Sequence, residues 1–228
     1  MKYTSAIAAT ASGSVGGATA SRNRGGQYFR RRAIPVNPNT QAQQAVRGIF
    51  ASLNANWNNV LSSTQRDAWD TYALNTPVTD SLGNPVNAGG KGMYIRGNVP
   101  RILAGLAGVA NGPTTFGLNS LSKPAVTGIV ASTKVVTFTY ANSDSWAGTV
   151  GGALLVFVSR PQNPSVNSFS GPFQYAGKIS GAATPPTSPG TVTGPFALTA
   201  GQVQFVRFVA VDATGRLSGE FIQRFQAA

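Results

Sequence analysis

The 228-residue chain contains no cysteine and no histidine, and only six of its side chains are acidic. Without cysteine there are no disulfides and no thiolate metal sites. Without histidine the usual general base and the commonest metal ligand are missing. Charged residues make up 11% of the sequence, less than half the roughly 25% of an ordinary soluble domain. Asn, Gln, Ser, Thr and Gly must therefore cover much of the surface, and packed copies of such a surface repel one another weakly. No apolar run approaches the roughly 20 residues of a membrane span. The first residues, Met1 to Ser12, are too short and too poor in leucine-like bulk for a signal-peptide core.

The charge that is present is uneven. The net charge is +12, and residues 1–66 carry eight Lys or Arg and no Asp or Glu. Residues 67–228 carry ten basic and six acidic side chains. Residues 1–39 read as an extended basic arm rich in Gly, Ser and Ala, with too few large apolar residues to fold alone. Something outside the arm must hold it. Gln27–Ile34 has the alternation of a strand, and Gly25-Gly26 suits a tight turn back to a partner at 14–21. Pro35 and Pro38 keep the rest extended.

Residues 40–110 read as helical. Thr40 is placed to cap a helix whose apolar face is Val46, Ile49, Phe50, Leu53, Trp57, Val60 and Leu61. Ser63 or Thr64 starts a second helix with Ala68, Trp69, Tyr72 and Ala73 inward, ending at Asn75-Thr76-Pro77. The two are expected to pack as an αα-hairpin. Pro100 divides residues 91–106 into two short helices.

Over 120–228 the period becomes two. Segments at 125–131, 135–140, 153–160, 173–179, 191–198, 203–211 and 221–225 read as strands, with clean in/out alternation at 203–211. Seven short strands match an immunoglobulin- or fibronectin-like β-sandwich. The expected fold class is therefore α+β: basic arm, helical hairpin, C-terminal sandwich.

Chemistry is sparse. Asp67 and Asp70 share a helix face at i, i+3, a spacing explained by helix-start electrostatics. Asp144 and Asp212 fall in turns, where Asp bonds its own backbone. The Gly-rich stretches at 12–17 and 89–92 lack the features of a phosphate loop. Neither a catalytic group nor a cofactor site is expected. The remaining candidates are Arg22, Arg24, Tyr28, Phe29, Arg30, Arg31 and Arg32. Arginines interleaved with aromatics suit a protein interface rich in carboxylates, and they also suit a nucleic-acid backbone. Alternation puts Tyr28, Arg30 and Arg32 on one face of a strand and Phe29 and Arg31 on the other.

Three motifs carry a resemblance: Ser21–Arg32, Pro38–Gln44 and Thr64–Trp69. Their order, a Gly/Arg arm, an Asn-Pro-x-Thr-x-Ala-Gln helix start and a Thr-x-x-Gln-Arg-x-Ala-Trp helix, resembles uncharacterised virion structural proteins of tailed bacteriophages and prophages. The resemblance implies a non-enzymatic virion component, either capsid cement, a decoration protein or a tail-associated subunit. Its partners would be the major capsid protein, other virion proteins or further copies of itself, with no membrane partner. The alternatives left open are a nucleic-acid-binding protein using the arm and a host-surface adhesion module using the sandwich.

Overall fold

A computed structural model of the chain describes residues 12–23, 26–34, 36–37, 39–79 and 84–228. Among them the protein is mixed α+β, with three helices and several antiparallel sheets. The chain divides into two units, the first ending at Gln41 and the second running Ala42–Ala228.

In the first unit, β1 (Gly13–Val15), β2 (Ala18–Asn23) and β3 (Gly26–Arg31) form an antiparallel sheet in that order. A hairpin is there, but it pairs 18–23 with 26–31 rather than 14–21 with 27–34, because the chain turns at Gly16-Gly17 and residues 13–15 form a separate strand, β1, on the other edge of β2. It forms because Gly16 takes a positive φ of 56°, which lets the chain reverse in two residues. Gly25, Pro35 and Pro38 lie outside the described residues.

The second unit starts with three helices, α1 (Gln41–Asn59), α2 (Ser63–Asn75) and α3 (Gly89–Leu103), with β4 (Val78–Thr79) and β5 (Pro85–Val86) paired between the last two. Only the C-terminal half of α1 is buried, through Leu53 and Trp57. Phe50 and Val60, expected on the same face, are exposed, Val60 lying beyond the last helical residue. The cap of α2 is Ser62 rather than Ser63 or Thr64. Its Oγ accepts from Gln65 N (3.2 Å) while Gln65 Oε1 accepts from Ser62 N (3.0 Å). A Gln can close this box only three residues after the cap.

Pro100 does not split α3, which is one continuous helix. The proline sits in the last turn, so the carbonyl it deprives of a partner is that of Arg96, on the exposed side of the helix. α2 packs chiefly on α3. Tyr94 of α3 lies against both Trp57 of α1 (5.5 Å between ring centres) and Trp69 of α2 (5.6 Å). Trp69 Nε1 donates to Ala110 O at 2.9 Å, so the largest buried side chain of this core has no orphaned donor.

Each of the seven segments expected as strands contains one: β6 (Ala125–Val130), β7 (Val135–Thr139), β8 (Ala153–Ser159), β9 (Phe173–Ser180), β10 (Gly190–Thr193), β11 (Val203–Val211) and β12 (Phe221–Gln226), although of the expected 191–198 only the first three residues are strand and 194–198 are loop. They make two antiparallel sheets, ordered β10-β7-β6 and β12-β11-β8-β9. One core takes Ile129, Val136 and Phe138 from the first sheet and Leu154, Val156, Val206 and Phe208 from the second. The in/out alternation expected at 203–211 is not found, since β11 is buried on both sides. Val206, Phe208 and Ala210 enter that first core, whereas Val209 and Val211 enter another with Leu155, Phe157 and Ala104. The second face is covered by the end of α3, with Leu103 and Leu106 packed against it, so apolar residues are selected on both sides.

Arg101 fixes this cover. The side chain is buried. Nε donates to Ala107 O (2.9 Å), and Nη1 donates to Gly151 O (3.0 Å) and to Asp212 O. Burial pulls its pKa below the ordinary guanidinium value, and the charge of Asp212 opposes that pull. Asp212 also accepts from Thr214 N, Arg216 N and Arg216 Nε. The resulting turn brings Gly215 O so close to Gly97 of α3 that a Cβ at Gly97 would collide with it.

Replacing Arg101 by Met removes the shared donor and leaves three interior carbonyls without it. The expected loss of stability is about 3–5 kcal/mol, read from urea unfolding. Arg101→Lys should recover only part of it, because an ammonium lacks the planar fork. Burial also raises the pKa of Tyr72, Tyr94, Tyr140 and Tyr175. Above the ordinary phenol value of about 10, the unfolded chain ionises first. Stability is therefore expected to be undiminished by these groups below that pH and to fall above it, as unfolding curves at pH 8 and 10.5 would show.

Candidate assembly interface

The register of the arm sheet assigns its faces. Tyr28 pairs with Ser21 and Arg30 with Thr19, while Phe29 pairs with Ala20, Arg31 with Ala18 and Arg22 with Gln27. Cross-strand partners share a face. One face therefore carries Tyr28 and Arg30 among hydroxyls, including Ser14 Oγ bonded to Thr19 Oγ1 at 2.7 Å. The other carries Arg22, Phe29 and Arg31 with Val15. Arg32 extends the ladder past β3 by donating its N–H to Gly17 O at 2.8 Å, which places it with Arg30. Arg22, Arg30, Arg31 and Arg32 are exposed, and Tyr28 is half-buried. Arg24 lies outside the described residues.

Among the described residues of the unit no buried core accompanies these side chains. Its apolar groups face outward, with Val15 87%, Ile34 79% and Val36 90% exposed. A sheet of this size without a covered face is marginal by itself. Cations beside bare aliphatic groups describe a surface suited to contact.

Four carboxylates of the second unit are bonded within it. Asp144 accepts from Ser122 N (2.9 Å), Ser122 Oγ (2.7 Å) and Trp146 Nε1. Asp212 holds its turn and pairs with Arg216 at 2.7 Å. Glu220 pairs with Arg207 at 3.3 Å, and Asp70 accepts from Gly90 N at 2.8 Å. Asp67 is exposed; Asp80 lies outside the described residues. Among the described residues no three His, Cys, Asp or Glu side chains gather closely enough to hold a metal ion. No helix among them is long and apolar enough to cross a membrane.

Sequence reasoning missed two arrangements. Arg207 lies between the rings of Phe157 (4.5 Å) and Phe173 (5.1 Å), a cation–π stack assembled from three different strands. An open groove of about 660 Å³ runs between the start of α1 and the loops beside β9, with Val46, Arg47, Arg160, Phe173, Tyr175 and Phe196 in its walls. Its lining has aromatic rings and two arginines but no carboxylate. Long-range pairing creates both features, and the only local signal was an arginine within or just after an apolar strand.

The free protein is expected to be cut by trypsin first within residues 22–32, leaving Ala42–Ala228 intact, as mass spectrometry of a limited digest would show. No family model, curated protein or solved structure matches the chain.

Proposed function

We propose that this chain is a non-enzymatic structural subunit of a tailed-phage particle, a capsid cement or decoration protein or a tail-associated subunit, that engages neighbouring virion proteins through its N-terminal arm. The observation that carries the reading is the arm itself. It is a small sheet with arginines on both faces and its aliphatic side chains exposed. Such a unit gains stability when something covers it. The motifs at Ser21–Arg32, Pro38–Gln44 and Thr64–Trp69 supply the virion context by resemblance.

In this reading α1 and α2 act as the helical hairpin and β6–β12 as an immunoglobulin-like sandwich, while the arm supplies the contacts. The partners are the major capsid protein or other particle proteins, alongside further copies of the chain, and the location is the virion. The carboxylates support a structural role, because those of Asp144, Asp212 and Glu220 hold loops and strands in place. Nucleic acid is the second reading, favoured by the exposed arginines beside Tyr28.

The test is incorporation. Particles purified from cells that make the chain with its natural neighbours should contain it by mass spectrometry. A variant lacking residues 12–34 should fold over Ala42–Ala228 yet be lost from particles. Full-length chain found only in the soluble fraction, or undiminished incorporation of the truncated form, would sink the proposal.

A further inference from the structure

We infer that the arm docks on an acidic, apolar-patched surface of a different protein, not on a second copy of this chain. The inference rests on the arm being a docking device, as proposed above, and narrows what it can dock on.

The argument is a matching of charges. Arg22, Arg30, Arg31 and Arg32 are exposed on two faces of one small sheet. Arginine at an interface takes its strongest partners among carboxylates, two bonds at a time. Among its described residues a second copy has few to give. Asp144 and Asp212 are buried and bonded by their own loops, and Glu220 is held by Arg207. What it presents among the described residues is Asp67 and Asp70, one helical turn apart on α2 and beside Arg66, and the exposed Glu220, which Arg207 already engages. Asp70 already accepts from Gly90 N. These few carboxylates, two of them already bonded within the chain, cannot serve arginines that point to opposite sides. The groove beside β9 carries arginines of its own, and two chains of net charge +12 repel at long range.

The same surface argues for protein over nucleic acid. A phosphate backbone offers one continuous anionic face, whereas this sheet divides its cations between two. Val15, Ile34 and Val36 stand exposed next to them, and they need apolar contacts that a phosphate backbone does not provide. The occupant therefore alternates carboxylates with apolar side chains.

The test uses the full chain. Sedimentation velocity at low and high salt reads self-association. Fluorescence titration then compares two probes at physiological salt, a peptide of three Glu-Glu-Val-Val repeats and a short duplex DNA. In the extended peptide each face alternates a carboxylate with a valine. The expected result is no arm-dependent oligomer and tighter binding of the peptide than of DNA. R30E/R31E in β3 and, separately, R22E in β2 should each weaken the peptide by about tenfold or more, with the near-ultraviolet spectrum of the second unit unchanged. Oligomers that form without a probe and vanish in R30E/R31E would overturn the inference while leaving the arm a docking device. Tighter binding of DNA would overturn it in favour of nucleic acid. Binding of neither probe together with no arm-dependent oligomer would overturn both the inference and the reading beneath it.

Discussion

Arg101 donates to backbone carbonyls from three separate places: Ala107 just past α3, Gly151 before β8 and Asp212 after β11. A guanidinium taken out of water loses strong hydration and must recover it from whatever dipoles converge on it. Those dipoles converge only when the end of α3 lies across the outer face of the four-stranded sheet. Leu103 and Ala104 then cover Leu155, Phe157, Val209 and Val211. Asp212 joins the same arrangement, because its carboxylate shapes the turn whose Gly215 carbonyl abuts Gly97. Helical core, sheet cover and turn are therefore mutually conditional.

A second constraint is the scarcity of negative charge. With six acids in the whole chain, placing Asp144 and Asp212 inside as loop organisers leaves only Asp67, Asp70 and Glu220 exposed among the described residues. The interior placements follow from local chemistry, since a buried carboxylate has to be surrounded by N–H and O–H donors. The outward consequence is that the surface selects for what it lacks. A chain built this way has little capacity to satisfy its own arginines from outside.

Much of this was legible residue by residue. The β-branched runs at 135–139 and 153–159 and the alternation read at 203–211 pointed to strands, because side chains of that kind lose little by being extended and gain by being packed. The alternation of Tyr28 to Arg31 gave the faces of β3 before its register was known. Other features needed the third dimension. Val203–Val211 looks the same whether one face or two are covered, and only the position of α3 decides. Pro100 reads as a break unless its place in the last turn is known. The α2 cap, by contrast, was legible and misassigned to Ser63 or Thr64, since Ser62 stands three residues before Gln65, the spacing that a capping box requires. The groove beside β9 and the stack around Arg207 arise from strands far apart in sequence and carried no local signature.

The two-sidedness of the arm sheet has a further consequence. Arg30 and Arg31 are adjacent in sequence but oppose each other across β3, so the strand has no inert back. A one-faced patch makes one contact and ends there. A two-faced strand lying in a seam can bridge two surfaces at once, giving each copy a valence of two from a few residues. Bridging of this kind multiplies modest contacts through effective concentration, and it ties together molecules that need share no interface of their own.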